Sequence, residues 1–303
     1  MLTGLNFQAP YIEMKHLNNL WLQITGLTCN LKCRHCYLSC NPTNKTKNFL
    51  NMDKIKKALE EVNRDDLDEI CLTGGEPLLH RDINNIIRHC IKYTNVNIIT
   101  NGTLINDKKA RFLRQIEIDS DYEIVFRISL DHYKEHKNDE IRGKGSYKKT
   151  VNGIKSLVNN GFNPVINAVN LWEEDENEFR EGFYNFLSEF NFEPSEMNLK
   201  IIPPVKTGEY RKNFSGYGEN DLVTGEGECP AENFDCHNTR VIADDGVYVC
   251  PALVNDPRGK VGDTLSDSQA KFFLELNTCF SCQQANKKMF NNEWDLNSAV
   301  PVK

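Results

Sequence analysis

Positive charge is in short supply along this 303-residue chain: 36 Lys and Arg face 43 Asp and Glu, for a formal net charge of −7. No basic stripe or arginine-rich tail stands out, so the electrostatic footprint of a nucleic-acid binder is missing. Long apolar runs are also absent. No stretch approaches the ~20 residues needed to cross a bilayer, and no membrane partner is expected. The opening Met1-Leu2-Thr3-Gly4-Leu5-Asn6 lacks the charged and apolar regions of an export signal, which predicts a cytoplasmic protein. A third scarcity is local: there is no cysteine between Cys90 and Cys229.

Elsewhere cysteine is abundant. Of eleven, four fall at 29–40, Cys71 and Cys90 stand alone, and five lie between 229 and 282. Without an export signal, this pattern argues against a disulfide framework and for metal binding. Two metal-binding ends separated by a cysteine-free middle are expected.

The middle alternates. Apolar strand-like runs at Leu20–Thr25, Glu69–Thr73, Val96–Thr100, Tyr122–Leu130, Val165–Asn170 and Met197–Ile202 are separated by stretches with helical periodicity. One such stretch, near 147–160, carries Val151, Ile154, Leu157 and Val158 on one face, with Gly161 at its C-cap. Six strand–helix repeats predict an α/β fold with parallel pairing and right-handed crossovers. After Pro203-Pro204 the chain turns glycine-rich and polar. A boundary is expected there, dividing residues 1–205 from 206–303. Cys71, within a strand, and Cys90, on an apolar helix face, read as small core residues.

The chemistry is concentrated in a loop after the first strand. Cys29, Cys33 and Cys36 are spaced C-x3-C-x2-C. A tetrahedral zinc site closes with four ligands, and Cys40 could supply the fourth. A cubane cluster has four irons, so three cysteines leave one iron without a protein ligand. Three further motifs sit at strand ends. Gly74-Gly75-Glu76-Pro77 pairs two glycines that permit close backbone approach with a carboxylate that accepts from an ammonium. Thr100-Asn101-Gly102-Thr103 ends the third strand. Ser129-Leu130-Asp131 ends the fourth and is followed by Ile141-Arg142-Gly143-Lys144-Gly145-Ser146, whose arginine offers a planar fork to a carboxylate or forms a surface ion pair with Asp139 or Glu140.

Together these segments resemble the radical S-adenosylmethionine (radical SAM) superfamily, with His35 in the aromatic slot of the cysteine motif. The resemblance implies a partial (β/α)6 barrel and a [4Fe-4S] cluster on Cys29, Cys33 and Cys36. It implies S-adenosylmethionine bound at the open iron and held by Gly74, Gly75, Glu76 and Pro77 at its amino group. Ser129 and Arg142 would hold its carboxylate or ribose, Asn101 would lie near it, and Val169 would line its adenosine face, with Asn167 and Leu171 as weaker candidates. A flavodoxin or ferredoxin is the implied reductant, and oxygen-free conditions the implied setting.

The last five cysteines suggest a second metal end. Cys236–Cys250 reads as a hairpin with Asp-Gly at its turn, bringing those two thiols together, and Cys279-Phe280-Ser281-Cys282 supplies another pair. Four thiols in two pairs suit either zinc or a fully ligated [4Fe-4S] cluster. The spacing C-x9-G-x3-C followed by CxxC is similar to the Twitch form of the SPASM domain, one residue short of its common form, which implies an auxiliary [4Fe-4S] cluster. No cysteine follows Cys282, so one auxiliary cluster is expected rather than two, with Cys229 left over and Cys40 a bystander.

The expected function is a radical SAM oxidoreductase or maturase that abstracts hydrogen from a peptide or protein in an oxidative modification. About nineteen residues precede the first strand, too few for a peptide-recognition domain of ~50 residues. A sugar, cyclitol or nucleotide-like small molecule is the rival substrate, and an iron–sulfur or zinc electron carrier the non-enzymatic rival. No acid–base group is assigned: Asp131, Lys206, Glu209, Tyr210 and Arg211 fall near the expected barrel mouth without a motif to distinguish them.

Overall fold

The computed structural model describes residues 9–190, 192, 194–225, 227, 229–230, 234–285 and 289–290. A short strand β1 (Tyr11–Ile12) precedes β2 (Asn19–Gln23). Then follow α1 (Met52–Glu60), β3 (Glu69–Thr73), α2 (Ile83–Cys90), β4 (Asn95–Thr100), α3 (Asp107–Ile118) and β5 (Ile124–Ser129). Two helices rather than one, α4 (Glu135–Arg142) and α5 (Ser146–Asn159), cross to β6 (Val165–Ala168). Helix α6 (Glu176–Ser188) leads to β7 (Leu199–Ile201). Strands β2 to β7 pair in parallel in chain order, the α/β partial barrel expected.

The alternation of side chains along these strands explains why both faces are apolar. Leu20, Leu22, Ile70, Leu72, Val96 and Ile98 point outward into the layer of helices, where Ile55, Leu59, Ile86 and Ile87 cover them. Helix starts are set locally: the Asn51 side chain accepts from the Lys54 amide, and Asp175 does the same for α6. The intervening residues Trp21 and Cys71 point inward, into a second apolar body that also holds Cys29, Cys40 and the later thiols. Cys90 is buried under α2, as expected.

Beyond β7, helix α7 (Gly208–Asn213) precedes β8 (Thr239–Ala243), β9 (Gly246–Tyr248), β10 (Lys260–Gly262), β11 (Phe272–Phe273) and α8 (Asn277–Ala285). The β8–β9 hairpin forms where expected. It does not stand apart, however: β8 pairs in parallel with β2, so one nine-stranded sheet runs β10-β9-β8-β2-β3-β4-β5-β6-β7. The first described residues join the same end, since β1 pairs with β11. The composition change at 205 marks the end of the barrel repeats but not of the sheet.

Candidate active site

The loop carrying the first three cysteines rests on the turn after β3. Glu76 N–H donates to the Thr28 carbonyl (3.1 Å), and Cys29 N–H to that of Asn41 (3.1 Å). Glycine is required beneath the loop: a Cβ on Gly75 would lie 2.1 Å from the Thr28 oxygen and 2.7 Å from the Cys29 nitrogen. From outside, α7 clamps the same loop. Glu209 N–H donates to the Cys36 carbonyl (2.9 Å), Thr207 Oγ1 to that of Tyr37 (3.0 Å) and Asn213 Nδ2 to that of Arg34 (3.1 Å). Gly208, at φ +58°, permits this approach, because a Cβ there would meet the Tyr37 oxygen at 2.3 Å. This segment, expected as a domain boundary with Glu209, Tyr210 and Arg211 near the barrel mouth, thus packs directly on the cysteine loop.

So held, Cys29, Cys33 and Cys36 all face one cavity of ≈ 180 Å³. Burial pushes the Cys29 and Cys33 thiols up to about 12. Cys36 is lowered to about 6 by hydrogen bonding from the Cys40 thiol, with the Cys40 amide adding to it (3.3 Å). Cys40 is buried beside the third cysteine, with its amide donating to that sulfur. N–H donors also reach Cys29 Sγ, from Leu31 (3.4 Å) and Asn101 Nδ2 (3.8 Å). Buried thiols with donors already aimed at sulfur suit metal-bound thiolates. Among the described residues, no His, Cys, Asp or Glu side chains are grouped to hold a single metal ion. A cubane distributes its thiolates over separate irons, and the three-thiol loop fits that larger group.

The predicted cofactor residues divide. Gly74, Gly75, Asn101, Ser129, Arg142, His35 and Val169 line the cavity with the three cysteines. Glu76 and Pro77 do not: Glu76 is fully buried, and its carboxylate accepts from Thr100 Oγ1 (2.6 Å), Asn101 N–H (2.8 Å) and Leu78 N–H (3.1 Å). Its visible work is to brace the ends of β3 and β4 against each other. Asn101 has a comparable task, donating to Asn30 Oδ1 at 2.9 Å and so tying β4 to the cysteine loop.

Arg142 is 8 % exposed and makes no surface pair with Asp139 or Glu140. Its Nε lies 2.7 Å from Asp131 Oδ2, and its Nη2 donates to Oδ1 at 3.0 Å. Asp139 instead holds the start of α5, accepting from Gly145 N–H, Ser146 Oγ and Tyr147 N–H. Asp131 also lies 3.1 Å from His35 Nε2 and accepts from Val169 N–H (3.3 Å). Burial alone would raise this carboxyl, but the Arg142 guanidinium and His35 outweigh it and hold Asp131 below the usual carboxylate range. Three residues proposed separately for the cofactor thus meet on one aspartate. Its position two residues after Ser129 was the only sequence signal, and that placed it at the barrel mouth without a role.

Cys236, Cys250, Cys279 and Cys282 line a second, small pocket closed by Phe234, Leu253 and Leu274. All four are buried and burial pushes every thiol up; their mutual repulsion as thiolates adds to it for Cys236, Cys279 and Cys282. Cys229 is not among the lining residues; it is half-buried, with its amide donating to Tyr11 O (3.0 Å). Tyr37 and Phe290 stand in the cavity wall with ring centroids 6.1 Å apart. Burial raises the Tyr37 phenol, and Cys36, Cys40 and Cys250 push it the same way, so thiols of both sets act on this ring.

A three-thiol loop at the mouth of a parallel partial barrel defines a class, and comparison with known proteins identifies it. The Radical SAM superfamily model matches residues 24–183, more than half of the chain, and the protein belongs to that superfamily. It is 29 % identical over 205 residues to the antilisterial bacteriocin subtilosin biosynthesis protein AlbA of Bacillus subtilis, covering 63 % of this chain and 43 % of that protein. The chain therefore spans less than half the length of that relative. It is 27 % identical to the mycofactocin maturase MftC of Mycolicibacterium smegmatis, over 84 % of this chain and 72 % of that protein. A probable GTP 3',8-cyclase of Methanosarcina mazei is 29 % identical over 84 % of this chain and 85 % of its own length. The solved structure of anSMEcpe with bound AdoMet shares the fold, with a TM-score of 0.59 at 18 % identity over 83 % of this chain and 77 % of that one.

Proposed function

We propose that this radical SAM enzyme carries out an oxidative modification of a peptide or protein, with a [4Fe-4S] cluster at Cys29, Cys33 and Cys36 and an auxiliary [4Fe-4S] cluster at Cys236, Cys250, Cys279 and Cys282. When bound, the first cluster and S-adenosylmethionine supply a one-electron cleavage to methionine and a 5′-deoxyadenosyl radical that takes hydrogen from the substrate. The residues of the chain bind and orient. Arg142 and Ser129 present donors to the carboxylate or ribose, Asp131 fixes Arg142 and His35, and Val169 offers an apolar face. Gly74 and Gly75 let the turn pack against Thr25 and Thr28 and line the cavity where the amino group would lie.

The observation that carries the oxidative reading is Tyr37: it lines the cavity in which the substrate would react, thiols of both sets act on it, and it shares one apolar body with the four-thiol pocket. Such a pocket is a place to which an electron from a substrate radical can pass. A peptide or protein substrate is supported by the relatives named for bacteriocin biosynthesis and mycofactocin maturation, and by the shared fold with anSMEcpe, solved also with a bound peptide. Eleven free thiols suit a reducing, cytoplasmic setting with a flavodoxin or ferredoxin as electron source. A small-molecule substrate is the second reading, favoured by the GTP 3',8-cyclase match over 85 % of that protein's length.

The test is anaerobic reconstitution with dithionite and S-adenosylmethionine. 5′-Deoxyadenosine should accumulate, and a peptide substrate should emerge short of two hydrogens by mass spectrometry. GTP-dependent stimulation with no peptide product would carry the second reading, and S-adenosylmethionine left intact would remove both.

A further inference from the structure

The barrel interior holds a buried cation that nothing above uses. Arg127 lies on β5, two residues before Ser129, so both side chains face inward. It is only 2 % exposed yet lines the cavity. Its Nε and Nη1 are buried without a hydrogen-bond partner. The Trp21 ring lies beside the guanidinium, with its centroid 5.8 Å from Cζ, and holds it in place without satisfying a donor. Burial and Glu69 raise the Cys71 thiol, and Arg127, which also hydrogen-bonds it, lowers it; Glu69 Oε1 accepts from Cys71 Sγ (3.5 Å) and Oε2 from Asn97 Nδ2 (2.5 Å), and Nε and Nη1 of Arg127 stay unfilled. A second unpartnered group stands one strand away: Asn167, beside Ser129 in the sheet register, carries a buried Oδ1 without a donor and lines the same cavity.

Burying a guanidinium is costly unless its donors are filled, and unfilled buried polar groups in a native fold call for an explanation. In Arg142 the charge is met by Asp131; in Arg127 two donors remain. We infer that Arg127 is an oxyanion-recognition residue at the floor of the cavity, receiving a carboxylate or phosphate of the substrate, with Asn167, two register positions nearer the strand ends on the same cavity wall, selecting for a polar neighbour of that group. This rests on the proposed substrate cavity but not on its chemistry. In a peptide the group is an acidic side chain or the chain terminus; in a nucleotide-like substrate it is a phosphate.

The test uses full-length, anaerobically reconstituted protein saturated with S-adenosylmethionine, titrated calorimetrically with N-acetylglycine, with inorganic phosphate and with the neutral N-acetylglycinamide. One of the two anions should bind at least tenfold more tightly than the neutral amide. Arg127→Met should abolish that difference while leaving S-adenosylmethionine affinity within twofold. Because removing a core arginine can disturb folding, Asn167→Asp provides a second route: a carboxylate added to the cavity wall with Arg127 intact should weaken anion binding at least tenfold. Preference for N-acetylglycine supports the inference with a carboxylate substrate, and preference for phosphate supports it with a phosphorylated one. Equal binding of the neutral amide, unchanged anion binding in both variants, or loss of S-adenosylmethionine binding in step with the anion would overturn it. None of these readouts requires cleavage, so failure of the proposed reaction remains separately visible.

Discussion

Asp131 shows how much one side chain can organise. It is wholly buried, and it meets Arg142, His35 and the Val169 amide at once. Removing the charge leaves the Arg142 guanidinium buried and uncompensated, so Asp131→Asn should cost roughly 3–5 kcal/mol in denaturant unfolding and weaken S-adenosylmethionine binding. The double variant Asp131→Asn/Arg142→Met should recover part of the stability but none of the affinity, since the stranded charge is then gone. Equal losses in the single and double variants would show that the pair is not coupled. At the same scale, Gly75→Ala forces a Cβ against the Thr28 carbonyl at 2.1 Å, where backbone rather than a flexible side chain must give way. Its purified, reconstituted protein should lose most of the iron held by the first three cysteines and retain that of the other four.

At the scale of elements, the β8–β9 turn is fastened to the stretch that leaves the cysteine loop. Lys47 Nζ reaches both Asp245 oxygens (2.7 and 2.6 Å) and Tyr248 Oη (2.8 Å), while Asp244 accepts from Asn48 N–H (2.8 Å). Burial opposes both charges, yet the contact with Lys47 lowers Asp245 and the contact with Asp245 raises Lys47. A depressed carboxyl stabilises the fold above its unfolded value of about 3.9 and loses that contribution as pH falls through its lower folded value. The raised ammonium stabilises below its unfolded value of about 10.4 and loses its contribution as pH rises through its higher folded one. The difference in melting temperature between wild type and Asp245→Asn should therefore be level across neutral pH and shrink below about pH 4. A difference that stays constant into acid would show that the turn is held by something else. Half-exposure of Asp245 keeps the effect small.

At the scale of the molecule, two thiol sets share one apolar body, against which Tyr37 packs. Their separation predicts independent loss. Cys33→Ala should abolish 5′-deoxyadenosine formation yet keep the iron of the second set, and Cys279→Ala should lose that iron while retaining some uncoupled cleavage. Iron and sulfide counts check both, and equal iron loss in the two variants would contradict separate sites. The β2–β8 pairing makes the C-terminal hairpin part of the barrel sheet, so neither half is expected to survive alone. A chain cut after residue 205 should be insoluble or molten, as judged by near-UV circular dichroism.

Much of this was legible in one dimension because it is local. Cysteine spacing is set along the chain, and strand parity and helix periodicity report which faces are apolar. Arg142 and Ser129 announced themselves by their motifs. What linear order did not contain is which groups meet: that Asp131 rather than Asp139 or Glu140 receives Arg142, that Glu76 is spent bracing β4, that α7 folds back over the cysteine loop, and that the Cys40 amide donates to Cys36. Each depends on sheet register and on the closing of a parallel barrel, which bring residues from distant strands to one end. Amino-acid order alone determined the thiol spacing and the repeat; only the tertiary structure decided the pairings, because the energy of a buried charge is set by its neighbours in space and not by its neighbours in sequence.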